Sequence, residues 1–260
     1  MDIIKKNLNI KKKIQSTESS IIKYPYGEND PYAIIELVAS TQIYSKKYNI
    51  DQMPVLSARV SHASSGKSGN NPDADLNLMR YLADNEHLSP FEHQSVTFKV
   101  ILPLFVAREW MRHRTQSYNE VSMRYSSDPV GKFYFPLFWR KQEVKNKQSS
   151  LGMIENQKEC TEILKQTYQN CLDSYKKLLD LGVCREQARL VVPVGNYTQY
   201  YATANLRNWF NFYRLRIDGG AQWEIRQYAK CIDEILSQIW PNSWNVLKET
   251  LDKKTKKKAS

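Results

Sequence analysis

The sequence predicts a single domain of the α+β class, with a central, mainly antiparallel sheet flanked by helices and a C-terminal helical bundle. The chain has 260 residues, of which 41% are apolar, which is enough to build one large core or two small ones. Apolar and polar residues alternate over residues 95–102 with the period of a strand. Residues 163–179 instead repeat apolar side chains with the period of a helix.

Two strands and one helix are predicted before residue 103. The strands are the apolar run at residues 34–38 and the alternating segment at residues 95–102. Asp73 follows a loop rich in glycine and serine, and we expect it to cap a helix that ends near residue 86. One face of that helix carries four apolar side chains: Leu76, Met79, Leu82 and Ala83.

Pro103 suits the start of a helix over residues 104–114, because the first turn of a helix leaves its amide hydrogens without internal partners. On that helix Arg108 and Arg112 would be four residues apart and share a face. Residues 115–122 are predicted to form a loop that closes over these polar groups.

The second half is predicted to be mainly helical. An extended aromatic segment at residues 133–139 and a polar surface insertion at residues 141–150 precede a long amphipathic helix, which Gly182 ends. Two further helices are predicted over residues 203–216 and 222–247. Pro241 must kink or break the last one, because proline lacks the amide hydrogen that a helix interior needs.

The formal net charge of +11 at first favours a nucleic-acid-binding protein. However, five lysines within the first 13 residues and five within the last eight account for nearly all of the excess. We therefore expect a basic N-terminal arm (1–30), one domain (31–250) and a basic C-terminal tail (251–260). Such ends are typically disordered, solubilising tails. An arm that binds polyanions is the alternative, and nucleic acid is not the expected partner.

The remaining composition favours a cytoplasmic protein. The chain has no run of about eighteen apolar residues and no apolar signal core, so neither a membrane span nor export is expected. Its cysteines show neither metal nor redox spacing, which favours reduced thiols; they are Cys160, Cys171, Cys184 and Cys231. The four histidines form no close pair on one helix face, and no metal site is expected.

The densest group of functional side chains lies at residues 108–124. It contains four arginines, one histidine, two carboxylates and two serines, interleaved with aromatic residues. A guanidinium binds phosphate or carboxylate through two parallel N–H groups and stacks on flat rings. The segment therefore predicts a site for a flat, phosphorylated ligand.

Glycine-rich phosphate-binding motifs are absent, so side chains and helix ends would have to hold the phosphates. Further candidates are Arg189, which lies in an apolar run, and Asn205, Asn208 and Asn211, which follow one side of a predicted helix. An amide both donates to and accepts from the polar edge of a flavin or a pyrimidine.

Several of these residues have an equally simple structural interpretation. Arg112 and Arg124 are alternatively salt-bridge partners of Glu109 or Glu120, and Arg189 is alternatively a buried ion-pair partner. Asn205 is alternatively a helix cap. His113 lies between two arginines, which predicts a neutral hydrogen-bond donor rather than a general base. Ser122 has no evident basic partner, so we expect it to position a ligand rather than act as a nucleophile.

The pattern Arg112-His113-Arg114-x7-Ser122 resembles the signature of the flavin-dependent thymidylate synthases. The segments at residues 87–93, 186–193, 205–216 and 221–225 resemble other blocks of that family in the same order. The resemblance extends over about residues 55–240. The basic ends and residues 141–150 fall outside it.

The resemblance implies a role for each matching residue. FAD would be bound by Ser61, Ser89, Arg112, His113, Arg114, Glu120, Asn205, Arg207 and Asn211, with His87 near the flavin and the folate. The nucleotide dUMP would be bound by Glu109, Arg112, Glu120, Ser122, Met123, Arg124, Arg189 and Arg216. The implied catalytic residues are Arg216, which would favour the ionised pyrimidine, and Ser122. Glu109 stands where many members carry glutamine, so its role stays open.

The implied reaction is the reductive methylation of dUMP to dTMP. Methylenetetrahydrofolate would supply the carbon and NADPH-reduced FAD the hydride, with no cysteine nucleophile. Family members are homotetramers whose active sites are shared between subunits. Two alternatives remain: a flavin- and folate-dependent methylase of uracil in RNA, and a nucleic-acid-binding protein that uses its basic ends.

Overall fold

A five-stranded sheet forms the centre of the computed structural model, which describes residues 21–27, 30–61 and 71–259, with side chains to residue 253. Its strands are β1 (Ile22–Lys23), β2 (Ile34–Ser40), β3 (Ser95–Pro103), β4 (Ser117–Glu120) and β7 (Tyr197–Asn205). Their order in the sheet is β1-β2-β3-β7-β4, and all neighbouring strands are antiparallel. A separate hairpin consists of β5 (Arg140–Gln142) and β6 (Ser150–Met153). Most of the predicted N-terminal arm lies outside the described residues.

Helices surround this sheet and form a bundle at the C-terminal end. Those of the described residues are α1 (Met53–Val60), α2 (Pro72–Asp84), α3 (Leu104–Trp110), α4 (Gln157–Asp180), α5 (Arg185–Ala188), α6 (Leu206–Arg216), α7 (Trp223–Ile239) and α8 (Pro241–Ala259). Helices α6, α7 and α8 pack on one another, and α7 also contacts β2 and α3. This arrangement confirms the predicted α+β class.

Strand β3 is the middle strand of the sheet, as its alternating sequence predicts. Its side chains Val96, Phe98, Val100 and Leu102 are each at most 1% exposed. Burying side chains of this size stabilises a fold by roughly 1.5–3 kcal/mol each. The Trp209 ring of α6 meets the Phe98 ring edge-on at 4.9 Å, so the core ties this helix to the sheet.

The prediction of a helix from residue 203 is wrong at its start. Residues 197–205 form β7, which pairs with β3 along its whole length, from Pro103 opposite Tyr197 to Ser95 opposite Asn205. Helix α6 begins only after Asn205, whose side chain accepts a hydrogen bond from the Asn208 amide at 3.0 Å. Asn205 is therefore a helix cap, and a long-range pairing overrides the local helical pattern.

The predicted helix over residues 104–114 is too long, and the loop predicted after it is partly a strand. Helix α3 ends at Trp110, where the His113 amide donates to the Trp110 carbonyl at 3.0 Å and closes a turn. The buried Trp110 indole also donates to the Gln116 side chain at 3.0 Å. Residues 117–120 then pair with β7 as β4. Arg112 therefore lies beyond the helix and does not share a face with Arg108.

The cap of α2 also differs from the prediction. Asn71, rather than Asp73, accepts the hydrogen bond from the Ala74 amide at 3.1 Å, and Asp73 lies in the first turn. Residues 141–150 lie within the β5–β6 hairpin, and the predicted extended segment at residues 133–139 is mostly irregular, with only Phe133 bridged to Asn196.

The structure agrees better with the predicted ends of the later helices. Gly182 follows α4 with a φ of +86°, a conformation that glycine adopts without strain. Pro241 separates α7 from α8, as expected of a proline. Helix α8 continues to Ala259, so the C-terminal end is helical rather than a disordered tail.

Within the described ranges, no helix has the length and apolar content to cross a membrane. All four cysteines are free.

Candidate active site

The guanidinium of Arg216, at the end of α6, is held by three hydrogen bonds. Its Nε donates to His113 Nε2 at 2.9 Å, its Nη1 to Glu109 Oε2 at 2.9 Å, and its Nη2 to the Glu109 carbonyl at 2.7 Å. The Arg216 side chain is only 16% exposed. An arginine has five N–H donors, so these bonds orient the group and leave one donor on each terminal nitrogen for a ligand.

His113 is buried beneath this arginine, with its ring 4.7 Å from the ring of Phe212. Burial and the neighbouring charges of Arg216 and Arg214 lower the pKa of His113 to about 4. Because an arginine N–H only donates, His113 Nε2 must accept, and its proton must lie on Nδ1. The ring is therefore neutral, as predicted, but towards Arg216 it is an acceptor rather than the expected donor.

Glu109 is the carboxylate partner of Arg216. The sequence suggested a salt bridge between Glu109 and Arg112, but the structure pairs Glu109 with an arginine 107 positions away. Arg216 lies in the last turn of α6, where a positive side chain interacts favourably with the carbonyl ends. Glu109 thus orients Arg216 and offsets its charge.

A second polar group lies around Glu186. The Arg124 Nε binds Glu186 Oε2 at 2.8 Å, and the Arg189 Nε donates to the Glu186 carbonyl at 3.3 Å. Ser122 Oγ accepts from the Arg124 amide at 3.2 Å. The structure thus brings Ser122, Arg124 and Arg189 together, and Arg124 does not pair with Glu120. An ion pair that is about half exposed is worth roughly 0–1 kcal/mol, so a phosphate can replace it at little cost.

Two other predicted residues, Glu120 and Met123, flank Ser122 in the chain. Glu120, at the end of β4, is exposed, and its Oε1 accepts from Thr198 Oγ1 at 2.6 Å. Met123 is half-buried. Within the part of the chain that the structure describes, no basic side chain hydrogen-bonds Ser122 Oγ.

A third group lines a cleft of about 690 Å³, here called the amide cleft. The cap of α6 supplies Asn205, and the helix itself supplies Arg207, Asn208 and Asn211. The opposite walls include Thr115, Leu88, Glu92, Thr250 and Leu251. Asn208 Nδ2 donates to the Thr115 carbonyl at 3.2 Å, and Asn211 Oδ1 accepts from Arg214 at 3.0 and 2.7 Å. Arg207 forms an ion pair with Glu92.

The amide cleft fits a large phosphorylated cofactor with a flat ring. Its volume lies within the roughly 300–1,000 Å³ of typical ligand sites. The Asn211 amide hydrogens and most of the five Arg207 donors are not used by the bonds described above. Such groups match phosphate oxygens and the polar edge of a ring system.

Of the residues predicted to bind FAD or to lie near the flavin, seven do not line the amide cleft among the described residues: Ser61, His87, Ser89, Arg112, His113, Arg114 and Glu120. All of them are exposed except His113, which is buried. His87 meets the ring of Tyr81 edge-on at 6.3 Å. The segment that carries His87 and Ser89 nevertheless borders the cleft, because its neighbours Leu88 and Glu92 are wall residues.

The sequence interpretation missed a second cleft of about 540 Å³ between the β5–β6 hairpin and the start of α7, here called the hairpin cleft. It is lined by Glu109, Arg140, Arg216 and Arg226, among others. Behind it, Arg140 Nη2 binds both oxygens of the buried Glu224 at 2.9 Å. Glu224 lies inside an apolar helical stripe, and a carboxylate at such a position signals a buried partner.

No group of three or more histidine, cysteine, aspartate or glutamate side chains is placed to hold a metal ion in the described ranges.

The family model described as "Thymidylate synthase complementing protein" matches residues 37–242. A flavin-dependent thymidylate synthase from Thermosipho africanus is 42% identical over 193 residues, which cover 74% of this chain and 83% of that protein. One from Thermus thermophilus is 42% identical over 201 residues, covering 77% of this chain and 73% of that protein.

The solved structures similar to this one include a UMP/dUMP methylase, PolB, from Streptomyces cacaoi. With 5-Br dUMP bound, it superposes with a TM-score of 0.72 and 33% sequence identity, covering 89% of this chain and 96% of that chain. With 5-Br UMP bound, the TM-score is 0.70 and the identity 31% over the same shares of the two chains.

Proposed function

Because this chain belongs to the family of flavin-dependent thymidylate synthases, we propose that it converts dUMP to dTMP by reductive methylation. Methylenetetrahydrofolate is the proposed carbon donor and NADPH the reductant. When bound and reduced by NADPH, FAD would supply the hydride that the reaction requires. The observation that carries the proposal is the Arg216 guanidinium, which Glu109 and His113 hold with two donors left for a ligand.

In this proposal Arg216 faces the pyrimidine. A positive fork beside a ring N–H lowers the pKa of that group and stabilises the deprotonated, electron-rich ring. The buried, neutral His113 adds no second positive charge, and the three bonds hold the guanidinium before the substrate arrives. Preorganised donors of this kind cost no reorganisation during the reaction.

The other groups have separate tasks. Arg124 and Arg189 bind the dUMP phosphate, with Ser122, Met123 and Glu120 beside them. FAD occupies the amide cleft, held by Asn205, Arg207 and Asn211. Ser61, His87, Ser89, Arg112 and Arg114 complete these sites from another subunit of a homotetramer, which accounts for their exposure in the single chain. The substrates are small cytoplasmic molecules, so we place the enzyme in the cytoplasm.

An absorbance spectrum of the purified protein tests the proposal. FAD is expected to give a flavin spectrum that changes when dUMP is added, and NADPH with methylenetetrahydrofolate is then expected to yield dTMP. A colourless protein that gains no flavin absorbance with added FAD would refute it.

A second candidate activity is the methylation of UMP. It is favoured by the similar solved structures, which are of a UMP/dUMP methylase with 5-Br UMP or 5-Br dUMP bound. Comparing dUMP, UMP and a structured RNA as methyl acceptors under the same conditions separates this activity, the proposed one and methylation of RNA.

A further inference from the structure

The hairpin cleft has two walls of different origin. One is the β5–β6 hairpin, which contributes Arg140, and the other is the end of α6 with the start of α7, which contribute Arg216 and Arg226. The Gln142 amide donates to three carbonyls of its own hairpin, at 3.3, 2.9 and 3.2 Å. The hairpin wall is therefore held by its own bonds and does not need a ligand to order it.

The three arginines of this cleft differ in their pairing. Arg216 binds Glu109 and Arg140 binds Glu224, each at 2.9 Å. The side chain of Arg226 has no ion pair or hydrogen bond within the described part of the chain, and its Nε is buried without a partner. A buried donor that lacks a partner is unfavourable, so an acceptor beyond the described residues would stabilise Arg226.

The charge of the cleft identifies the class of that acceptor. The lining contains three arginines but one carboxylate, Glu109, which already binds Arg216. Glu224, behind the lining, is likewise occupied by Arg140 and by the Tyr134 hydroxyl at 3.1 Å. The cleft thus retains a positive charge at Arg226. A guanidinium binds a carboxylate or a phosphate through two parallel N–H groups.

We propose that the hairpin cleft binds an anionic group of a co-substrate, a carboxylate or a phosphate, and that Arg226 is its main ion-pairing residue. The inference rests on the proposed function, under which two co-substrates carry such groups: methylenetetrahydrofolate has glutamyl carboxylates, and NADPH has phosphates. Because Arg216 lines the same cleft, a co-substrate anchored there is held beside the pyrimidine.

Steady-state kinetics of Arg226→Gln test this inference. Losing a charged hydrogen bond weakens binding by roughly 10-fold or more, so the KM of one co-substrate should rise by about that factor. The KM of dUMP and kcat should stay unchanged. Lys230→Gln is the matched control, because Lys230 is an exposed cation one turn further along α7 whose side chain, among the described residues, hydrogen-bonds Gln227 alone. Arg226→Lys keeps the positive charge but loses the two parallel N–H groups. Its KM for that co-substrate should lie between those of Lys230→Gln and Arg226→Gln.

Comparing two forms of each co-substrate identifies which co-substrate supplies the anionic group. If it is the folate, Arg226→Gln should reduce the preference for polyglutamylated over monoglutamylated methylenetetrahydrofolate. If it is the reductant, the variant should reduce the preference for NADPH over NADH. Inorganic phosphate should raise the melting temperature of the wild type more than that of Arg226→Gln, a readout that needs no turnover.

The results separate the inference from the proposed function. If the wild type makes dTMP but Arg226→Gln leaves every KM and the phosphate effect unchanged, the inference is overturned and the proposed function stands. A rise in the KM of dUMP alone also overturns it, because the cleft would then belong to the nucleotide site. If the wild type makes no dTMP, the proposed function fails, whereas a phosphate effect that depends on Arg226 still supports an anion site.

Discussion

Lowering the pH should weaken this fold through His113. In the folded chain the pKa of this residue falls from 6.5 to about 4, because the ring is buried and lies beside Arg216. The unfolded chain therefore binds a proton that the folded chain rejects between these two pH values. The stability of the fold is unaffected by His113 above about pH 6.5 and decreases as the pH falls through this window.

The size of the effect follows from the same two values. Proton linkage lowers the free energy of unfolding by about 2 kcal/mol at pH 5 and by about 3 kcal/mol at pH 4, relative to pH 7. The His113 ring is 6% exposed, so solvent screens the effect little. A loss of this size is a large fraction of the stability of an ordinary domain, which is about 5–15 kcal/mol.

Urea unfolding of the wild type and of His113→Gln at pH 7 and pH 5 measures the effect. The glutamine carbonyl can accept the hydrogen bond from Arg216 Nε but does not titrate. Other carboxylates and histidines change both proteins alike, so the difference between the two pH dependences isolates His113. We expect the wild type to lose about 2 kcal/mol more than the variant. Equal losses in the two proteins would refute the reasoning.

Four further changes have expected outcomes. Arg216→Ala should lower dTMP formation by at least about 100-fold with FAD still bound, as measured by product formation and flavin absorbance; near-normal turnover would remove Arg216 from the mechanism. Ser122→Ala should lower dTMP formation less than Arg216→Ala does in the same assay. A complete loss of dTMP formation with intact dUMP binding would indicate that Ser122 is a nucleophile. Arg140→Ala should lower the free energy of unfolding by about 3–5 kcal/mol, because it leaves Glu224 buried without its cation. Arg80→Ala removes a half-exposed ion pair and should cost at most about 1 kcal/mol; equal losses would contradict this ranking.

The sequence predicted best those elements whose pattern is local. Strand β3 alternates buried and partly exposed residues along its length, and Gly182 and Pro241 act within one turn of their helices. Strand β7 was missed because its threonines and tyrosines do not alternate between apolar and polar. Strand β4 has only four residues and no buried side chain, so its pairing with β7 decides its structure.

The candidate site shows the same limit. The arginines could be identified from their residue types and motif, but the bonds of Arg216 to Glu109 and His113 join positions more than 100 residues apart. No local pattern specifies such contacts. The hairpin cleft depends likewise on how residues 140–153 fold back towards α7, which their polar composition does not reveal.

Helix α6 connects the two clefts. Its first residues line the amide cleft, and its last residue, Arg216, lines the hairpin cleft. The eleven residues of the helix extend over roughly 16 Å. The start of the helix is fixed to the sheet, because the Leu206 amide donates to the Gln94 carbonyl at 2.7 Å. The helix therefore fixes the position of Arg216 relative to the amide cleft. One inserted residue would turn Arg216 by about 100° relative to that cleft. The length of α6 is therefore as constrained as the identity of its functional residues.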